Sequence, residues 1–162
     1  MEFLEGWHDF FVATVGAAAA LAGLIIVAIS VNIKDIIAFP SMTSRAGATV
    51  ASLVLSLVST SVMLIPGQPI PLLGLEILLV AAVVTVITVK SAVAILRESG
   101  TGSSAAWTKV ALAVVQVLPF LVGAVSLIAG RAEGVPWVAA GVLLVFLGSV
   151  TNAWVLLVEI LR

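Results

Sequence analysis

The chain has 162 residues, of which 62% are hydrophobic and only 9% are charged, and its formal net charge is −1. Its mean hydropathy is +1.34. A soluble domain has about 45–50% apolar and about 25% charged residues, so this composition excludes an ordinary soluble globular protein. Because the sequence has no cysteine, a disulfide framework and a zinc–thiolate site are excluded as well. We predict an integral membrane protein that has the lipid bilayer as its first partner and does not bind nucleic acid.

Charges and turn residues divide the sequence into five apolar segments, and about 20 helical residues are enough to cross a bilayer. We therefore predict an all-α fold, a polytopic transmembrane helical bundle that forms a single membrane domain over 1–162. Its five spans are predicted at about 10–33, 46–65, 72–96, 106–129 and 137–161. The connecting segments are short, so consecutive helices should be antiparallel neighbours. In the connector "KDIIAFPSMTSR" we expect Ile36, Ile37 and Phe39 to rest at the membrane interface.

Small residues recur at helical spacing in the first and fifth spans. In the first span the repeated positions are Gly16, Ala20 and Gly23, and in the fifth they are Gly141 and Gly148. Small side chains let two helices approach closely, so both faces are predicted to pack against other helices.

A polar stripe follows one side of the second span, in and just before the segment "TVASLVLSLVSTSVM". At about 100° per residue a single helix face collects Arg45, Thr49, Ser52, Ser56, Ser59 and Thr60. One interpretation is that the stripe packs against another helix, within the chain or between chains. The other is that it lines a watery path with Arg45 at the cytoplasmic mouth, where its charge would disfavour cations.

Four other polar residues lie within the later spans. Glu76 and Lys90 lie close enough to the ends of the third span to serve as interfacial anchors. Gln116 lies near the middle of the fourth span, three residues before Pro119, which removes a helical hydrogen bond. Such an amide either binds an ion or polar solute, or forms a hydrogen bond to a neighbouring helix. Asn152, on the small-residue face of the fifth span, is predicted to form a hydrogen bond across that contact.

The distribution of basic residues predicts the orientation of the chain. With the N-terminus outside, only Arg131 lies on the outer side, and the cytoplasmic side holds Lys34, Arg45, Arg97, Lys109 and Arg162. We therefore predict an N-terminus outside and a cytoplasmic C-terminus. The acidic beginning of the sequence lacks the basic region of a secretory signal, so the first apolar run is expected to remain as a span.

The segment "WHDFFVATVGAAAALAGLIIVAISVNI" resembles the first span of a group of small, multi-spanning bacterial inner-membrane proteins. The group is best represented among actinobacteria, and some of its members are labelled FtsH-protease modulator. The likeness covers about residues 7–32 and contains no catalytic motif. It implies a bacterial inner (plasma) membrane as the location.

The sequence offers little that could carry out a reaction. The single histidine lies away from the serines of the spans, and no cluster of metal ligands or phosphate-binding loop is apparent. We expect a protein that is not an enzyme and has no cofactor or metal. Two functions are open: a homo-oligomeric scaffold or modulator, alone or as a subunit of a membrane complex, and a small oligomeric ion or solute channel lined by the hydroxyl stripe.

Overall fold

A computed structural model describes residues 6–99 and 104–154 of the chain. All of the regular structure in these ranges is helical. The helices are α1 (His8–Val31), α2 (Ile33–Ala38), α3 (Pro40–Met63), α4 (Ile70–Ser99), α5 (Ser104–Ile128) and α6 (Gly134–Trp154). The predicted all-α fold is confirmed.

Five of these helices, all but α2, are long and apolar enough to cross a membrane. Their positions match the five predicted spans, although the end of the last predicted span, 155–161, lies outside the described residues. The chain is a multi-pass integral membrane protein.

The connector between the first two spans is more regular than the sequence analysis expected. It contains the short helix α2, and α3 begins at Pro40, where a missing backbone N–H costs nothing. Phe39 before it has an extended backbone, as the proline ring requires of its neighbour. Ile37 and Phe39 are exposed, but Ile36 is buried against Ala46 instead of resting at the interface.

The turn after α5 shows how a helix ends where the sequence has "GRAEGVP". Gly130 has φ +75°, a left-handed conformation that glycine adopts without strain. Its N–H donates to the Leu127 carbonyl at 2.8 Å, and the Arg131 N–H donates to the Ser126 carbonyl at 3.0 Å. This Schellman arrangement satisfies the last carbonyls of α5 and turns the chain back toward α6.

Helix α3 lies at the centre of the bundle, in contact with α1, α4 and α6, and α5 packs against both α4 and α6. The apolar stretch of α3 is 56% buried, against 22% for that of the peripheral helix α1. The core consists of fully buried apolar side chains, which include Leu53, Leu55, Ile77, Phe120, Leu127, Val138 and Val142. Since lipid tails are as apolar as these side chains, the helices are held together chiefly by van der Waals packing.

Glycines allow the closest approaches between helices. A Cβ atom built on Gly74 of α4 would lie 2.7 Å from the Ala124 carbonyl oxygen of α5. One built on Gly123 of α5 would lie 2.8 Å from the Gly134 carbonyl oxygen of α6. The helix pairs α4–α5 and α5–α6 are therefore in backbone contact, which fixes α5 firmly between its neighbours.

Candidate functional site

The hydroxyl stripe of α3 lies inside the bundle. Ser56, Ser59 and Thr60 have no exposed surface, and Thr49 and Ser52 are buried. A stripe that is covered by the other helices of its own chain cannot line a pore between copies of the chain. Any watery path along it would have to run within one chain.

The first part of the stripe, from Arg45 to Ser52, borders a cavity of about 50 Å³ between α3, α4, α5 and α6. The cavity lies in the half of the bundle nearest to α2, which we call the Arg45 end. Its lining includes seven polar side chains, which are Arg45, Thr49, Ser52, Thr88, Ser91, Gln116 and Asn152. Each water molecule in a protein needs about 10–15 Å³ of such space, so the cavity has room for a few waters or one small ion.

A hydrogen-bonded network ties α3 to α6 at this end. The Arg45 guanidinium donates to the Asn152 side-chain oxygen, from Nε at 3.0 Å and from Nη2 at 2.6 Å. The Asn152 amide nitrogen in turn donates to the Thr49 hydroxyl at 2.9 Å. The Thr49 hydroxyl donates to the Arg45 carbonyl at 2.9 Å, which closes the network. The charge of Arg45 is thus bound at the wall of the cavity by Asn152 of α6, which is itself hydrogen-bonded to Thr49 of α3.

The opposite wall carries Thr88 and Gln116, and one of these two polar side chains has no hydrogen-bond partner among the described residues. Thr88 of α4 is 4% exposed, and its hydroxyl has no hydrogen-bond partner among the described residues. Gln116 of α5 is 6% exposed and also borders the cavity. An unsatisfied buried polar group costs about 1–3 kcal/mol, so Thr88 favours a cavity that holds water or a polar guest.

Beyond the cavity, further hydroxyls continue along α3 toward the opposite end of the bundle. The Thr60 hydroxyl bonds to the Ser56 carbonyl of its own helix at 2.8 Å. The hydroxyls of Ser56 and Ser59, and that of Ser149 on α6, are buried and have no partner among the described residues. These groups do not border the cavity.

The two predicted small-residue faces occupy different environments. On α6, a Cβ atom at Gly148 would overlap the Gln116 amide, and one at Gly141 would lie 2.6 Å from the ring of Phe120. On α1, a Cβ atom at Gly16 or Gly23 would meet nothing within 4 Å. The α6 face is covered by α5, whereas the α1 face, including Ala20, lies on the outside of the chain.

The structure brings together five of the polar residues that the sequence singled out, Arg45, Thr49, Ser52, Gln116 and Asn152. The sequence analysis missed the contribution of α4, which is Thr88 and Ser91. A signal for them exists, because both lie on the same helical face as the buried residues Ala81, Val84 and Ile95.

Glu76 and Lys90 of α4 lie away from the cavity. The Glu76 carboxylate accepts a hydrogen bond from the Gln68 amide at 2.7 Å, at the end of the bundle opposite Arg45. Lys90 is exposed on the outside of α4. The described residues contain no group of three or more histidines, cysteines or acids that could hold a metal ion.

Comparison with known protein families, with curated proteins and with solved structures finds no match to this chain. The resemblance of the first span to small bacterial inner-membrane proteins therefore stays a prediction. Functional inference rests on the geometry of the bundle alone.

Proposed function

We propose that the protein is a small, non-enzymatic membrane channel or carrier with a solute site inside each chain. The observation that carries this proposal is the cavity, where four helices converge with seven polar side chains. Polar groups within membrane spans are costly, and they usually mark a solute pathway or a helix contact. The Thr88 hydroxyl has no hydrogen-bond partner among the described residues. This favours a solute pathway, because in a helix contact that served only for packing the hydroxyl would be hydrogen-bonded or replaced by an apolar group.

The cavity restricts the class of solute. Its volume of about 50 Å³ admits water or a small monovalent ion and is too small for an amino acid or a sugar. The Arg45 guanidinium in its wall disfavours a cation. Hydroxyl and amide groups supply the hydrogen bonds that a halide or a water molecule would need. The solute is therefore water or a halide-sized anion.

From the cavity to the opposite end of the bundle, the path of the solute would follow the buried hydroxyls of Ser56 and Ser59. A path that opens transiently needs polar groups that replace the water molecules around the solute. The buried hydroxyls of these serines are groups of that kind. For the path to open, α3 and α6 must move apart on the side of Asn152 that lies away from the Arg45 end. Ser149 is buried there, and its hydroxyl has no hydrogen-bond partner among the described residues. The described arrangement is then the closed form.

Flux measurements on purified protein in liposomes test the proposal. Halide entry is followed with an enclosed halide-sensitive dye, and water permeability is followed by light scattering. At least one of the two should be higher than in protein-free vesicles. Thr88→Val and Gln116→Leu should reduce that flux, because each removes a polar group from the cavity at nearly constant volume. The matched control is Thr85→Val, since Thr85 lies one turn away and bonds to the Ala81 carbonyl at 2.7 Å.

Two results would contradict the proposal. One is a parent protein that conducts neither halide nor water. The other is a flux that Thr88→Val and Gln116→Leu leave at the parental level.

The second candidate function is a homo-oligomeric scaffold or modulator that acts through helix α1. The observation that favours it is the open face of Gly16, Ala20 and Gly23, at the centre of the outward side of the least buried span. Small residues at four-residue spacing allow close helix pairing in membranes. Among the described residues nothing lies within 4 Å of a Cβ atom built on Gly16 or Gly23, so this face is open to a contact with another protein chain.

Replacement of Gly23 by leucine separates this function from the first. The space around Gly23 is open, so Gly23→Leu should leave the melting temperature of the single chain unchanged but should reduce the oligomer in mild detergent. Ala82→Leu, an enlargement by three carbon atoms instead of four on the exposed side of α4, should change neither property. A monomeric parent, or an oligomer that tolerates Gly23→Leu, would rule out this use of α1.

A further inference from the structure

A groove of about 640 Å³ lies on the outside of the bundle at the Arg45 end. One wall is formed by the last turns of α4, and the other includes Pro40 at the start of α3. The described lining residues are Pro40, Val89, Lys90, Val93, Ala94 and Arg97. Its volume lies in the range of about 300–1,000 Å³ that is usual for small-molecule sites. The groove is separate from the polar cavity, since the two share no lining residue.

The charges in the groove are of one sign. Lys90 and Arg97 are seven residues apart, so they share one face of α4 and are separated by roughly 10 Å along its axis. Both are exposed, and none of the described lining residues is acidic. Arg97 lies in the last turn of α4, at the end of the segment that is long and apolar enough to cross a membrane. Lys90 lies deeper, and its long side chain can extend toward the same level.

The rest of the groove is apolar. Val89 is 51% exposed and Val93 is 41% exposed, and Ala94 lies beside them. On a membrane-spanning helix, exposed apolar side chains face lipid tails. The groove therefore combines a basic patch at headgroup level with an apolar surface that extends into the membrane.

We propose that this groove is a binding site for one anionic phospholipid. The phosphate and the anionic headgroup lie against Lys90 and Arg97, and one acyl chain lies along Val89 and Val93. An arginine presents paired N–H donors that match the geometry of a phosphate. Charge complementarity selects an anionic headgroup over a zwitterionic one, and the apolar surface selects a lipid over a soluble phosphate. The proposal does not depend on whether the polar cavity conducts a solute.

Native mass spectrometry of the purified protein tests the site. The protein is released from detergent micelles that contain equal amounts of phosphatidylglycerol and phosphatidylcholine with identical acyl chains. The parent should retain phosphatidylglycerol preferentially. A basic side chain near an anionic lipid surface contributes about fivefold in affinity, so Arg97→Gln should lower the ratio of the two lipids roughly fivefold. Lys90→Gln combined with Arg97→Gln should abolish the preference.

Controls distinguish a built site from general attraction to negative charge. Lys34→Gln removes an exposed cation of α2 outside the groove and should leave the ratio unchanged. Excess glycerol phosphate, which has no acyl chain, should not displace the bound lipid. The proposal is overturned if the double variant keeps the parental ratio, if Lys34→Gln lowers it equally, or if glycerol phosphate competes.

Discussion

At the scale of single residues, the structure separates glycines that determine helix contacts from glycines that do not. The sequence analysis treated small residues at regular spacing as packing positions, and Gly141 and Gly148 do lie in a helix contact. Gly74 and Gly123 lie in contacts with the backbone of a neighbouring helix but form no such repeat. Spacing on one helix cannot show which face a neighbouring helix covers, and that explains why these two were missed.

Gly74→Ala should destabilise the protein. A Cβ atom there would lie 2.6 Å from the Ile128 backbone nitrogen and 2.7 Å from the Ala124 carbonyl oxygen, and backbone atoms cannot move aside as a flexible side chain can. Overpacking of an interior costs typically 1–3 kcal/mol, so the melting temperature in detergent should fall. Gly16→Ala is the matched control, because its Cβ atom meets nothing within 4 Å. Equal melting temperatures for the two variants would show that α4 and α5 are not in backbone contact.

The network at Arg45 bears on where the second membrane-crossing helix begins. The predicted span began at residue 46 because a charge was taken to lie outside the membrane segment. The helix begins at Pro40 and includes Arg45, whose guanidinium is bound by Asn152 more than 100 positions later in the sequence. A charged side chain can lie within a helix bundle when a distant partner satisfies it, and local sequence cannot reveal that partner.

At the scale of elements, the polar stripe of α3 was predictable and its surroundings were not. Helical periodicity placed Ser52, Ser56 and Ser59 on one face, and the structure shows that face to be buried. Two interpretations had been open, a packed face and a wet one. In the structure Thr49 and Ser52 border a cavity, whereas Ser56 and Ser59 are enclosed.

For this stripe, loss of hydroxyls should matter less than a gain in volume. The Ser56 and Ser59 hydroxyls have no hydrogen-bond partner in the described part of the chain, and an average interhelical hydrogen bond in a membrane contributes only about 0.6 kcal/mol. Replacement of Ser52, Ser56 and Ser59 together by alanine should therefore be nearly neutral for thermal stability. Ser56→Leu should cost about 1–3 kcal/mol, because the enlarged side chain has no free space.

The control for Ser56→Leu is Ser61→Leu on the same helix. Ser61 is exposed and its hydroxyl bonds only to the Leu57 carbonyl, at 2.7 Å. Leucine at this position should therefore leave the melting temperature close to that of the parent. If Ser56→Leu were tolerated as well as Ser61→Leu, α3 would not be at the centre of the bundle.

At the scale of the whole molecule, composition and hydropathy predicted the class and the number of spans, because both follow from the thickness of the bilayer. The arrangement of the helices could not be predicted in the same way. Sequential antiparallel packing accounts for the α1–α3, α3–α4, α4–α5 and α5–α6 pairs, but α6 also contacts α3 and α1. These contacts bring the cavity residues of α3 and α6 together, so the site depends on tertiary packing that no single segment encodes.

The orientation of the chain across the membrane is a prediction, and the structure shows which residues lie at each end of the bundle. Consecutive antiparallel helices place α2 at the Arg45 end and the turn after α5 at the opposite end. The Arg45 end also carries Arg97, whereas Arg131 is the basic residue of the opposite turn. Because cytoplasmic segments are enriched in lysine and arginine, the Arg45 end should be cytoplasmic.

Cysteine labelling is direct here, since the native sequence has no cysteine. Gly134 is a poor position, because a Cβ atom there would lie 2.8 Å from the Leu127 side chain. Glu133 and Asp35 are better, since both are exposed acidic residues near opposite ends of the bundle. In intact cells a membrane-impermeant maleimide should label Glu133→Cys but should label Asp35→Cys only after permeabilisation. A reporter fused after Arg162 should be cytoplasmic. The reverse labelling pattern would show that the basic end faces outward, and the orientation predicted from charge would then be wrong.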